Sequence, residues 1–296
     1  MITSVLTPTT VDELTTVLNG DGILVAGATD VMPMYQAGLI KASRLIDITR
    51  IPELRRIALS DSGWLLGATA SMSSILAVTG APIAALSDAA GGVGSRQTRN
   101  RATIGGNVCR ASPAGDLLAP LLACGGHVVA ASENSGREIP AEDFFLGPGE
   151  TCLREGEVVT GLRIPHAPGA SAYCRATTRR GMDLAIVGVA VSIRLDDSHG
   201  ARRSVSAIRV AVCGAGPTPV LVPMQDVGPR GLTVDDVPAL LSEMSERVQA
   251  AIVPIDDVRA SSWYRRRLVS VLLEEATLRA AERTVSDVAN CEEDDS

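Results

Sequence analysis

Aromatic side chains are nearly missing from this 296-residue chain, which has two Phe, two Trp and three Tyr, 2% in all. Hydrophobic residues still make up 46%, so the interior must be built from Ala, Val, Leu and Ile. Positive charge is also short. Lys and Arg number 27 against 34 Asp and Glu, a formal net charge of −7, which argues against a face for nucleic acid or an anionic membrane. No apolar run reaches the roughly 18 residues of a membrane helix, so no membrane insertion is expected. Met1-Ile2-Thr3-Ser4-Val5 has no charged segment leading into an apolar one. No signal peptide is expected, and the location expected is cytoplasmic. The cysteines, at 109, 124, 152, 174, 213 and 291, form no C-x-x-C pair. Zinc or iron–sulfur ligation within the chain is therefore not expected, and reduced thiols are. His127, His166 and His199 are scattered and read as structural or exposed.

Glycine and hydroxyl groups concentrate in one stretch, Asn100 to Asp116, which holds Thr103-Ile104-Gly105-Gly106-Asn107 and Ser112-Pro113-Ala114-Gly115-Asp116 and leads into the apolar run Leu117–Cys124. It reads either as a tight turn capped by Ser112 or Asp116, or as a cofactor loop. Glycines let backbone amides approach a ligand, and amides feeding a helix N-terminus favour phosphate. The density of hydrogen-bonding side chains favours the cofactor loop. A second such place is Gly27-Ala28-Thr29-Asp30, between the apolar strand Ile23–Ala26 and a helix from Val31 to Tyr35.

Elsewhere, Thr10 and Glu13 form a capping box that starts a helix ended by Asn19–Gly22. Strands are expected at 44–47, 56–60, 64–67, 128–131 and 158–164, with helices at 72–78, 82–90 and 117–124. Gly91-Gly92-Val93-Gly94 breaks the chain before the central stretch, and Glu142–Gly149 reads as a turn docking two aromatics. Pro165–Gly169 reads as a linker. Strands at 172–177, 185–195 and 205–212, then helices at 234–251 and 262–282, predict an α+β unit with helices on one sheet face. The length suggests about two domains. The expected division is 1–168 (subdomains 1–54 and 55–168), 169–285, and an acidic disordered tail at 286–296.

These segments resemble the FAD-binding medium subunit of the molybdenum hydroxylases, the group of xanthine dehydrogenase and aerobic carbon monoxide dehydrogenase. The family's first pyrophosphate loop, A-G-G-T-D-L, stands here as Ala26-Gly27-Ala28-Thr29-Asp30-Val31. Its second, T-I-G-G-N-(x)4-S-P-x-x-D, stands as Thr103 to Asn107 followed by Ser112 to Asp116. Val93–Arg101, Asp143–Gly149, Arg179–Ala185 and Pro254–Arg266 also fit, so the resemblance spans nearly all of residues 1–285.

The resemblance implies an α+β fold of the vanillyl-alcohol-oxidase-like FAD-binding type. In it, two αβ subdomains clasp FAD and a C-terminal α+β domain adds a small sheet and helices. It implies FAD contacts from Leu24, Val25, Ala26, Gly27, Ala28, Thr29, Asp30 and Val31. The second set is Ala102, Thr103, Ile104, Gly105, Gly106, Asn107, Cys109, Arg110, Gly115 and Asp116, with Leu162 and Arg175 toward the isoalloxazine. No residue here need act on the organic substrate, and no metal ligands are expected. It also implies an electron-transfer subunit of a heterotrimer, beside a molybdenum-cofactor large subunit and a small subunit with [2Fe-2S] clusters. Electrons would pass to NAD, a quinone or O₂. The alternative is a stand-alone FAD-dependent oxidoreductase acting on a small substrate.

Three positions depart from the family pattern. Ala28 replaces a glycine, so its backbone is expected to keep a negative φ or to shift. Arg110 replaces a small polar residue. Arg175 replaces Lys, and a planar guanidinium is not equivalent to an ammonium. The four-cysteine insertion of one family branch is absent, so no extra cluster is expected.

Overall fold

The computed structural model describes residues 2–18, 22–78, 80–167, 169–179, 181–196, 204–224 and 232–294. The expected turn at 19–21, Pro168, Arg180, His199 and the last two residues lie outside these.

The first 54 residues build a three-stranded parallel sheet from β1 (Ser4–Leu6), β2 (Gly22–Val25) and β3 (Arg44–Asp47), with β3 in the middle. The crossovers carry α1 (Val11–Val17) and α2 (Val31–Gln36). Thr10 caps α1 by accepting the Glu13 amide, whereas the Glu13 carboxylate turns back to the Thr9 amide and hydroxyl. The capping box is thus displaced by one residue. Leu14, Ile46, Ile48, Ile51 and Leu54 form a small core here with Val158 from the next sheet.

That next sheet is five-stranded and antiparallel, in the order β4 (Ile57–Ser60), β5 (Gly63–Gly67), β10 (Val158–Ile164), β6 (His127–Ser132), β7 (Ser135–Pro140). Strand β7 was not evident from sequence because Ser135-Gly136-Arg137-Glu138 lacks apolar alternation. After β5 come α3 (Met72–Leu76), α4 (Ala84–Gly92), α5 (Arg96–Arg101) and α6 (Ile104–Arg110). The apolar α7 (Leu118–Ala123) completes this layer, and all six of its residues are buried. The one-turn α8 (Ala141–Phe144) leads into a ribbon of β8 (Phe145–Gly147) and β9 (Glu150–Thr151). Phe144 and Phe145 meet edge to face there, with ring centres 5.2 Å apart.

The third sheet is an antiparallel meander, β11 (Gly169–Ala176), β12 (Val187–Leu195), β13 (Val205–Cys213) and β14 (Val220–Pro223). The unit's own helices lie on one face, as expected, and the preceding unit covers the other. Ala172, Cys174, Val189, Val191, Val210 and Val212 point into a core shared with α9 (Leu241–Ala251) and α10 (Ser262–Asp294). The alternate residues Tyr173, Ala190, Ala211 and Cys213 close the core of the five-stranded sheet and its helices. Burial on two faces explains why β12 is apolar almost throughout. Helix α10 also runs to Asp294, past the expected end at 282 and through most of the segment expected as a tail.

Polar contacts fix this docking. Ser171 is fully buried, accepts the Ala85 amide at 3.0 Å and donates to the Pro82 carbonyl at 2.9 Å. Asp88 of α4 takes both guanidinium nitrogens of Arg283 from α10, at 2.7 and 2.8 Å, and the Tyr173 amide at 3.0 Å. Arg209 and Arg194 donate to the Leu122 and Cys124 carbonyls, so two cations sit at the carbonyl end of α7.

Candidate functional site

The first segment lies at the C-terminal end of β2, the end of a parallel strand where ligands gather in such sheets. Leu24 and Val25 are half-buried in the strand, and Val31 opens α2. Among the described residues, the amides of Gly27, Ala28, Thr29 and Asp30 find no intramolecular acceptor. Ala28 has φ +64°. The expectation of a negative φ is therefore corrected: the loop keeps the left-handed turn that suits glycine, and the alanine bears the strain.

The second segment is not an open loop. Ala102–Gly105 lies alongside 68–72, with the Met72 amide donating to Ala102, Ile104 to Ala70 and Gly105 to Ala68. Thr103 then caps α6 by accepting the Gly106 amide at 3.2 Å, while the Asn107 amide donates to the Thr103 carbonyl. All four leading amides of α6 are thus occupied within the protein. A glycine pair read as loop becomes the first turn of a helix because tertiary contacts absorb its donors. The two glycines have different surroundings. A Cβ on Gly105 would lie 2.8 Å from the Ala68 carbonyl oxygen and Cβ, so this glycine lets α6 approach β5. Gly106 is exposed, and its Cβ would meet only the Thr103 hydroxyl, at 2.9 Å.

The fold brings the two segments into contact. A Cβ on Gly27 would stand 2.1 Å from the Arg101 carbonyl oxygen, so only glycine lets the β2 loop seat on the residue before Ala102. The free amides of the Gly27 loop thus stand beside the backbone that leads into Gly106, and together they make a candidate cradle. Such a cradle fits a diphosphate, whose charge needs donors wherever it is desolvated.

Beyond α6, Ala111 turns left-handed with φ +45°. The Asn107 carboxamide oxygen accepts the Leu117 amide at 3.4 Å, which ties the start of α6 to the start of α7. Gly115 packs on Leu118, and its amide donates to Ser112. Neither Ser112 nor Asp116 caps α7. Cys109 and Arg110 are exposed, and Arg110 leans toward Gly149, whose amide donates to Ala111. Leu162 is fully buried in β10 between Leu66 and Val128.

Asp116 is buried and turns to the third sheet. It accepts the Tyr173 hydroxyl at 2.9 Å and the Arg175 guanidinium at 2.9 and 3.0 Å. Burial pushes its carboxyl above the ordinary range, against the pull of Arg175 and Tyr173. Burial also raises the Tyr173 phenol, with Cys213 and Asp116 adding to the rise. Arg175 lies over Gly92, where a Cβ would stand 2.7 Å from its Nε. Gly92 is the last residue of α4, so the chain breaks at Val93 rather than at Gly91. The sequence reading missed Tyr173 and Gly92 as parts of this constellation. Neither carries a local signal, since Tyr173 is 57 residues from Asp116. Asp183 caps its own turn, accepting the Arg179 and Leu184 amides.

Comparison with known proteins agrees with this arrangement. The profile described as FAD binding domain in molybdopterin dehydrogenase matches residues 1–167, and that of the CO dehydrogenase flavoprotein C-terminal domain matches 172–280. The glyceraldehyde dehydrogenase medium chain of Sulfolobus acidocaldarius is 30% identical over 253 residues, covering 85% of this chain and 88% of its own. The carbon monoxide dehydrogenase medium chain of Hydrogenophaga pseudoflava is 34% identical over 204 residues, 68% of this chain and 69% of its own. A crystallographic chain of carbon monoxide dehydrogenase from the same organism superposes with TM-score 0.81 at 29% identity, covering 96% of this chain and 98% of that one. With a cradle of free amides and glycines at the junction of its first two sheets, and matching profiles over nearly its whole length, the chain belongs to the FAD-binding flavoprotein family of the molybdopterin dehydrogenases.

Proposed function

We propose that this chain is the FAD-holding electron-transfer subunit of a molybdenum-containing dehydrogenase or hydroxylase complex. The observation that carries the proposal is the contact of the Gly27 loop, with its free amides, against the Arg101–Gly106 segment. FAD, when bound, accepts electrons from a [2Fe-2S] subunit and passes them to an external acceptor. The chain's own contribution is to bind, orient and tune the cofactor. Gly27, Ala28, Thr29 and Asp30 would donate their amides to the pyrophosphate. Thr103, Gly105, Gly106 and Asn107 shape the opposite wall, and Asn107 and Gly115 hold the path from α6 to α7. Asp116 and Arg175 tie the third sheet to that wall.

The same reading takes residues 1–168 as the cofactor-binding unit and 169–285 as the unit that braces it. Medium-chain relatives matching most of this chain support a heterotrimer with a large molybdenum subunit and a small iron–sulfur subunit. The external acceptor in this reading is NAD, a quinone or O₂. No helix among the described residues is long and apolar enough to cross a membrane, and a cytoplasmic site of action completes the proposal.

The test is the flavin content of the purified chain. One FAD per polypeptide, released into the filtrate on denaturation, is expected. A colourless native protein would remove the proposal, and flavin retained on the denatured chain would show a covalent link instead.

A further inference from the structure

The third sheet turns two arginines toward the end of α7. Arg209 of β13 pairs with Ser192 of β12, and Arg194 lies two residues further along β12. Ser192, Arg194 and Arg209 therefore share one face of the sheet. Arg194 Nη2 donates to the Cys124 carbonyl at 2.9 Å, and Arg209 Nη2 to the Leu122 carbonyl at 3.1 Å. The two side chains meet over Gly125, just past α7, which has φ +67°. A Cβ there would stand 2.6 Å from Arg194 Nη2 and 3.9 Å from Arg209 Cζ. Glycine thus serves both the left-handed turn and the approach of two guanidinium groups.

The pair is short of negative charge. Among the described residues, the one carboxylate within ion-pair reach is Glu142, whose Oε2 lies 3.9 Å from Arg209 Nη2 and whose own side chain is 55% exposed. The two carbonyls absorb one donor from each arginine but carry only partial charge. Arg209 Nε is buried and has no acceptor. Burial and the charge of Arg194 both push the Arg209 guanidinium below its ordinary pKa, as expected of two cations held close. Beside Arg194 a small cleft opens, lined by Pro82, Cys124, Pro165, Ala167, Ser192 and Arg194. Ser192 is only 4% exposed, and its hydroxyl finds no partner among the described residues. A buried hydroxyl without a partner, next to guanidinium groups without a counter-charge, calls for an acceptor that carries negative charge.

We propose that Ser192, Arg194 and Arg209 form a binding site for a compact oxyanion of the phosphate class. Guanidinium groups present forked donors that match such an ion, and the serine adds a neutral one. The cleft is small, so the ligand is the free ion rather than a nucleotide. The site stands at the opposite end of α7 from Asp116, and the inference holds with or without the cofactor reading above. Bound there, the ion neutralises two like charges where the third sheet docks on α7, and so braces that junction.

The test is a calorimetric titration of the full chain with sodium phosphate, against sodium chloride at matched ionic strength. FAD is kept in excess, so that phosphate does not report on the cofactor cradle. One phosphate per chain is expected in the parent. Arg194→Gln and Arg209→Gln should each weaken it about tenfold or more, since each removes a charge-assisted hydrogen bond. Glu142→Gln removes the one nearby carboxylate and should tighten binding about twofold. Arg279→Gln on α10, which covers the other face of the sheet, should change nothing. Phosphate should also raise the melting temperature of the parent more than that of the two arginine variants. A parent that binds no phosphate, arginine variants that bind it as the parent does, or an equal response to chloride overturns the proposal. Should an arginine variant fail to fold, Glu142→Gln decides, and an unchanged affinity there overturns it as well.

Discussion

The Arg175 guanidinium rests on the Asp116 carboxylate at 2.9 Å, joining the third sheet to the segment between α6 and α7. Both side chains are largely buried, so the pair is read as a latch rather than a surface ornament. Removing one partner strands the other. Arg175→Ala should cost about 3 kcal/mol of stability in urea unfolding at neutral pH. The double variant Asp116→Ala/Arg175→Ala should cost less than the two single changes together. The Arg175→Ala penalty should shrink toward acid pH, because protonating Asp116 removes the unpaired charge. Additive costs across the cycle would show that the two groups do not act together.

The glycines of the second segment separate fold from cofactor. Gly105→Val drives a branched side chain into Ala68 and should cost about 2 kcal/mol or more of fold stability. Gly106→Val meets only the Thr103 hydroxyl, so its cost should be about 1 kcal/mol, the value of a weakened cap. It should still abolish FAD retention. Measuring melting and bound flavin on both variants decides the matter, and a Gly106→Val protein holding stoichiometric FAD would remove this wall from the site.

Ala28 is strained at φ +64°. Ala28→Gly should raise apo-protein stability by about 0.5–1 kcal/mol, since relief of the left-handed alanine exceeds the added chain entropy. FAD affinity should hold or rise. A loss of stability in this variant would mean that the turn is not strained.

Glu157 accepts from Arg137 at two positions, both 2.8 Å, and from the Arg154 amide at 2.7 Å. The Arg137 pairing is the main reason its carboxyl falls from 4.5 to about 2. A depressed carboxyl contributes stability above its unfolded pKa and loses it as the pH falls through the folded one. Glu157→Gln should therefore cost of order 2 kcal/mol at pH 7. Its difference from the parent should fade between about pH 4.5 and 2. A constant difference across that window would refute the pairing.

What the sequence determined by itself lies within a few residues of each signal. Thr10 starts α1, the apolar run 23–26 followed by glycine gives strand then loop, and the glycine-bearing segments at 27–30 and 103–116 are recognisable by their side chains. The strand expected at 185–195 was legible as a strand, though not what would cover its two faces. Only the tertiary structure decided the rest, because those partners are far apart in the chain. Asp116 meets Arg175 across 59 residues, and Asp88 meets Arg283 across 195. The Ile104–Gly106 turn became helical because Ala70, Ala68 and Thr103 took its amides, leaving the open donors on the Gly27 loop. Local sequence fixes which backbone groups need partners, and only packing decides whether the protein itself supplies them or leaves them for a ligand.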